Sequence, residues 1–182
     1  MRLDRAGSPR PRIVRPFGDE TLAGLRSFAA STRLWLEATK TPYDDAGRPA
    51  GSRYNRWGSH NPPLCRDLHL RPGFVALASR VFGRKVKPSY CFLSLYGPDG
   101  VCPRHVDRPQ CRYTVDLLVG SDGAWPIYVS GRRYVMRPGE ALCYSGTEQP
   151  HQRKPMDADG DATFSDLVFF HFVPAEWRGS LD

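Results

Sequence analysis

A chain of 182 residues with 40% hydrophobic and 12% aromatic content can bury a core of its own, which excludes a disordered polymer or a disulfide-stapled miniprotein. The formal charge of +7 is uneven: residues 1–90 hold 17 Lys/Arg against 7 Asp/Glu, residues 91–182 hold 9 against 12. No apolar run approaches the ~20 residues needed to span a bilayer.

Five cysteines (65, 91, 102, 111, 143) are an odd number without a Cys-x-x-Cys pair, which argues against a disulfide framework. The N-terminal Met1-Arg2-Leu3-Asp4-Arg5 leads into no apolar stretch, so no secretory signal is expected. A reducing cytoplasm is therefore the expected compartment. Length and pattern predict a single domain over 1–182: a loose arm at 1–16, helical and loop support at 17–88, and a β core at 89–174.

Residues 1–16 are rich in Arg and Pro and show no periodicity. From Asp19 the pattern changes. Asp19 and Glu20 suit the positive end of a helix dipole, and Leu22, Leu25, Phe28 or Ala29, Thr32 and Leu36 recur at helical steps, predicting a helix over 19–39 ended by Pro42. Residues 41–63 read as an irregular stretch whose Arg/Tyr/Asn/Trp cluster suits a lid or a pinned surface loop. A second helix is predicted over 73–82, with Phe74, Leu77, Ala78 and Val81 on one face and Gly83 ending it.

After Pro88 the chain becomes β in character. Over 90–96, Tyr90, Phe92, Ser94 and Tyr96 share one side and Cys91, Leu93 and Leu95 the other. Strand-like runs follow at 112–119, 125–129, 133–137, 140–145 and 164–173, separated by Gly/Pro/Ser/Asp turns. Helices first and short strands afterwards predict an α+β, mainly β domain, with N-terminal helices packed on one side of a jelly-roll or cupin-like sandwich.

The chemistry centres on Pro103-Arg104-His105-Val106-Asp107-Arg108. A histidine and an aspartate two residues apart in extended chain face the same way. A third ligand from a returning strand would complete a two-histidine, one-carboxylate site, the set used by non-haem iron(II) oxygenases. His151, which follows the turn-like 145–150 segment, fits that third place, with His171 as a substitute. His60 and His69 read as surface or packing residues. Cys102 and Cys111 flank the motif, but thiolate ligands usually come in cysteine sets.

Residues 90–173 resemble the iron(II)/2-oxoglutarate-dependent oxygenases, most closely the prolyl-4-hydroxylase-like branch. The resemblance lies in the order of parts: the strand ending in Tyr96, the turn into His105-Val106-Asp107, the strand Arg112–Leu118, the Pro138–Tyr144 turn and strand, His151, and a final aromatic strand. It implies a double-stranded β-helix, with iron held by His105, Asp107 and His151 and with 2-oxoglutarate as cosubstrate. Molecular oxygen and a small-molecule or amino-acid-derived substrate would complete the reaction. An aspartate at position 107 favours hydroxylation, desaturation or ring formation over halogenation.

The family usually anchors 2-oxoglutarate with an arginine on the final strand, and residues 158–173 contain no Arg or Lys. Arg153, on the His151 side of an extended segment, is the preferred replacement; Arg112 is the other, with Tyr96 and Thr114 as hydrogen-bonding helpers. Tyr54, Arg56, Trp57, Trp125, Arg132 and Arg133 are pocket candidates by type. Two other readings stay open: an iron-dependent, cupin-like dioxygenase that does not use 2-oxoglutarate, and a non-catalytic basic β-sandwich. Neither a membrane nor a nucleic acid is the expected partner; nucleic-acid demethylases of this kind carry an arginine pair after the distal histidine.

Overall fold

The structure, a computed structural model, describes residues 10–40, Tyr54 and residues 56–181. In chain order these form β1 (Arg12–Val14), α1 (Asp19–Ala38), β2 (Arg56–His60), α2 (Pro63–His69), α3 (Pro72–Phe82), β3 (Val86–Tyr96) and β4 (Cys102–His105). A 3-10 turn at Pro109–Cys111 leads to β5 (Tyr113–Ser121), β6 (Ile127–Val129), β7 (Arg132–Tyr134), β8 (Ala141–Tyr144), β9 (His151–Arg153), α4 (Met156–Asp159) and β10 (Ser165–Pro174).

The strands make two antiparallel sheets, ordered β1-β8-β5-β10-β3-β2 and β4-β9-β6-β7. Alternation along the long strands gives the six-stranded sheet two different faces. Cys91, Leu93 and Leu95 of β3, Val115 and Leu117 of β5, Cys143 of β8, and Phe170 and Phe172 of β10 pack with helix residues Leu25, Ala29, Leu36, Leu68, Phe74 and Ala78. Tyr96, Leu118, Leu142, Tyr144 and Leu167 point the other way and cluster with Ile127 and Val129 of the smaller sheet. The helices therefore cover the outside of the large sheet, and its inner face is left for the space between sheets.

Local chemistry explains the helices. Asp19 and Glu20 fill the first turn of α1, and Leu22, Leu25, Ala29 and Leu36 form its buried stripe. α3 opens on Pro72, where the missing N–H has no intrahelical partner to lose, and Gly83 closes it in the left-handed conformation.

Three elements depart from the expected pattern. In place of a wholly loose arm, Arg12–Val14 pair with β8, Ile13 opposite Leu142; a three-residue strand is too short to show alternation. β2 and α2 arise within or beside the stretch read as irregular. β2 contains Gly58 and polar residues and exists because β3 lends it hydrogen bonds along its whole length. α2 has only seven residues, below what periodicity can detect, and is held by burial of Cys65 and Leu68. The predicted Pro42 stop, and Arg53 and Asn55 of the Arg/Tyr/Asn/Trp cluster, lie outside the described residues. Among the described residues no helix is long and apolar enough to cross a membrane.

One polar residue sits inside the aromatic core. His69, 2% exposed, is enclosed by Phe74, Phe170 and Phe172, with ring centroids 4.7–6.4 Å away, and its Nε2 has no hydrogen-bond partner among the described residues. Burial is the main reason its pKa falls to about 3, with the charge of His171 adding to it. The unfolded chain, titrating near 6.5, then binds the proton that the folded chain refuses. The His69 contribution to stability is thus intact above about pH 6.5 and is lost as the pH falls toward 3. Replacing His69 with Leu should flatten the acid limb of the stability curve. Urea midpoints measured from pH 7 to 4 would check this, and an unchanged slope would refute it.

Candidate metal centre

The smaller sheet brings the two histidines together. β4 and β9 pair so that His105 stands directly opposite His151 and Cys102 opposite Arg153. The imidazole centroids lie 4.3 Å apart. His105 Nδ1 is 2.7 Å from the Pro103 carbonyl and His151 Nδ1 is 3.0 Å from the Gln149 carbonyl. A carbonyl can only accept, so each Nδ1 is a donor and each Nε2 is the ring atom left to face Asp107 or a metal.

Both Nε2 atoms face the same carboxylate: each is 3.5 Å from Asp107 Oδ1. Ligands about 2.1 Å from an octahedral ion stand about 3 Å from one another, so small movements would seat a divalent metal between the three. Burial alone would raise the Asp107 carboxyl, but hydrogen bonds from His105 and His151 outweigh it and hold the group well below the usual carboxylate range. The same contact is the main reason the His105 pKa rises, to about 11.

Asp107 is positioned from behind. Its N–H donates to the Gly146 carbonyl at 2.9 Å, which ties it to the turn before β9. A Cβ on Gly146 would lie 2.2 Å from Asp107 Oδ2 and 2.4 Å from the Cys111 carbonyl, so only glycine admits this approach. Thr114 Oγ1 lies 3.2 Å from Asp107 Oδ2 and 3.1 Å from His171 Nδ1. A carboxylate only accepts, so the relay runs from His171 N–H to the Thr114 hydroxyl and from that hydroxyl to Asp107.

A second trio, Asp107, Cys111 and His171, is equally close in space. Its chemistry is less suited to a cation. The Cys111 thiol is hydrogen-bonded to the Tyr90 hydroxyl at 2.8 Å and is pushed up to about 12 by burial, and His171 Nδ1 is occupied by Thr114. The His105–Asp107–His151 set has two available nitrogens and an ionised carboxylate.

The three groups open on a cavity of about 390 Å³ between the sheets. Tyr54, Tyr90, Phe92, Tyr96, Tyr144 and Phe169 give it aromatic walls, and Arg56, Arg108 and Arg153 line it with Asp107 and Asp116. Arg153 is buried. Its Nη2 donates to Asp116 Oδ2 at 2.9 Å and its Nη1 to the Trp125 carbonyl at 2.7 Å, joining the two sheets. Burial raises the Asp116 carboxyl, the guanidinium opposes this, and Asp116 Oδ1 is without a hydrogen-bond partner among the described residues.

The other expected residues divide. Tyr96 and Tyr54 line the cavity. Thr114 does not; it stands behind Asp107. Arg112 is half-exposed and pairs with Glu148, and it is not among the lining residues. Its backbone is helical (φ −55°, ψ −38°) because it ends the 3-10 turn, so it precedes the strand on which it was expected to lie. Trp57 packs toward the helices, Trp125 lies beneath the Arg153 guanidinium, and Arg132 and Arg133 are exposed on β7. Arg108 was not anticipated, although it adjoins Asp107 in sequence; it donates from Nε to the Tyr90 hydroxyl at 3.1 Å.

No family model matches the sequence, and no curated protein matches it. Solved structures do match. A prolyl-4-hydroxylase from Pseudomonas putida aligns with a TM-score of 0.62 and 16% identity over 96% of this chain and 95% of that one. HygX from Streptomyces hygroscopicus, solved with nickel, 2-oxoglutarate and hygromycin B bound, aligns with a TM-score of 0.61 and 13% identity over 97% and 90%. The fold is that of the 2-oxoglutarate/iron(II) oxygenases. AviO1 from Streptomyces viridochromogenes Tue57 has the same fold over 99% of both chains, with a TM-score of 0.67 and 16% identity. At these identities the likeness lies in the backbone, and the oxygenase fold here carries its own side chains.

Replacing Thr114 with Val should keep the fold and remove the bond that orients Asp107. Loss of such a supporting contact typically weakens metal affinity about 10–100-fold. Anaerobic titration with Fe(II) or Mn(II) measures it, and wild-type affinity in the variant would show that Thr114 does not hold the carboxylate.

Proposed function

We propose that the protein is a non-haem iron(II)- and 2-oxoglutarate-dependent oxygenase acting on a C–H bond of a small-molecule or amino-acid-derived substrate. The observation that carries the reading is the convergence of His105 Nε2, His151 Nε2 and the Asp107 carboxylate on one point beside an aromatic, arginine-lined cavity. The strand orders of the two sheets support a double-stranded β-helix. HygX, bound to a metal, 2-oxoglutarate and a small molecule, supports the same pairing of fold and ligands.

In this reading His105, Asp107 and His151 hold the iron, which when bound with 2-oxoglutarate and oxygen supplies the oxidising power for C–H cleavage. The chain's own part is to position groups. The Pro103 and Gln149 carbonyls fix both imidazoles in the metal-binding tautomer, and Thr114 and Gly146 fix the carboxylate. An aspartate at 107 completes the protein's ligand set, which favours hydroxylation, desaturation or ring formation over halogenation. Tyr96 contributes its hydroxyl to the cosubstrate's end of the cavity. The walls of Tyr54, Tyr90 and Phe92 exclude water and suit a partly apolar substrate.

A second reading keeps the iron and omits 2-oxoglutarate. The engagement of Arg153 by Asp116 favours it, because the expected anchor is already neutralised. One assay separates the two. Purified protein given Fe(II), oxygen, 2-oxoglutarate and ascorbate, which stands in for the substrate as reductant, should release succinate, and His105→Ala should abolish both the release and stoichiometric iron binding. Iron binding without succinate would select the second reading; absence of iron binding would refute both.

A further inference from the structure

The oxygenase reading leaves the acting substrate unspecified, and an assignment of its chemistry rests on that reading. A substrate comes to the triad from solvent, so it meets the rim of the cavity first. Among the described residues that line the cavity, three are exposed: His60, Val106 and Arg108. Arg108 follows Asp107 directly in the chain, which puts the one arginine of this rim beside the triad.

Arg108 is held in place, unlike an ordinary surface arginine. Its guanidinium lies over the Tyr90 ring, 4.6 Å from the centroid, and its Nε donates to the Tyr90 hydroxyl at 3.1 Å. That hydroxyl also meets the Cys111 thiol at 2.8 Å, and the Tyr90 ring packs on His171 at 4.7 Å and on His60 at 5.0 Å. Through His171 and Thr114 the same platform is joined to the carboxylate of Asp107. The immediate partners of Arg108 are thus a phenol and a thiol, both uncharged at neutral pH, and no carboxylate among the described residues pairs with it. Arg153 and Arg112 differ, since each is bound to a carboxylate. A guanidinium fixed through its Nε keeps Nη donors in a set plane, the arrangement that suits an incoming oxyanion.

We infer that Arg108 selects the substrate, which is an organic anion: a carboxylate or phosphate held at the rim on the Arg108 fork, with an apolar body reaching into the cavity. Val106, exposed beside Arg108, and Phe92 and Phe169 within the cavity supply apolar surface for that body. Because the fork stands one residue from Asp107, the C–H bond to be oxidised lies only a few bonds from the acid group. Tyr90 is then a positioning residue, acting on the substrate through Arg108.

The test is equilibrium binding of three probes to the anaerobic protein already loaded with Mn(II) and 2-oxoglutarate: 3-phenylpropanoate, 2-phenylethyl phosphate and the uncharged 3-phenylpropanamide. Paramagnetic relaxation of the probes' ring protons by the bound Mn(II) reports both affinity and nearness to the metal. Wild type should hold at least one of the two anions roughly 10-fold more tightly than the amide, the scale of a hydrogen bond to a charged group. Arg108→Gln should bring that anion down to the level of the amide and leave the amide and 2-oxoglutarate bound as in wild type. Arg108→Lys, which keeps the charge without the fork, should fall between. Thermal melting establishes that each variant is folded; if Arg108→Gln is not, the Lys variant carries the comparison. No anion preference in wild type, a preference that survives in the folded variants, binding remote from the Mn(II), or a matching loss of 2-oxoglutarate in Arg108→Gln overturns the assignment. Failure of wild type to bind Mn(II) or 2-oxoglutarate at the loading step overturns the underlying reading instead.

Discussion

Everything at the centre depends on the pairing of two short strands. β4 and β9 share few hydrogen bonds, yet their register sets His105 against His151 and Cys102 against Arg153. Side chains alternate with period two, so a slip of one residue would turn a histidine out of the cavity and bring Gln152 or Arg104 in. β9 is held in place from its other side by β6, where Val129 pairs with His151 and Tyr128 with Gln152. The turn before β9 also clamps Asp107 through the Gly146 carbonyl, so one segment positions two of the three converging groups.

The six-stranded sheet supplies the rigidity this arrangement needs. Its outer face is sealed by α1, α2 and α3 through nearly fully buried Leu, Phe and Cys side chains. Its inner face can then carry polar groups, because the helices have already satisfied the hydrophobic requirement on the other side. The bond from Arg153 on β9 to Asp116 on β5 ties the sheets across the interior. Such a pair adds little net stability compared with an apolar replacement, while breaking one half leaves an uncompensated buried charge, commonly costing about 3–5 kcal/mol. Its value is in fixing the separation between sheets.

The sequence was most legible where side-chain chemistry follows a simple period. The α1 stripe, the two faces of β3 and the closing glycine of α3 follow from spacing alone. The His-x-Asp motif and His151 were legible because ligand types are few and the strand order was readable. Alternation puts Arg153 on the cavity side, where it lies, but its partner was not foreseeable, since Asp116 is on a strand of the other sheet. Arg112 lies outside the cavity for a local reason, a helical backbone one residue before the strand begins. Arg56 was one of several pocket candidates by type. Pairing of β2 with β3 is what brings it to the cavity, and β2, polar and interrupted by Gly58, has little strand character by itself.

The cysteines have a practical consequence. Cys65, Cys91, Cys111 and Cys143 are buried, and burial raises each thiol to about 12, so at neutral pH they are protonated and poor nucleophiles. Cys102 is half-buried, lines the cavity and stands opposite Arg153. A thiol-directed fluorophore or spin label would therefore react selectively at the edge of the cavity. The native chain carries an addressable reporter for occupancy of its own site.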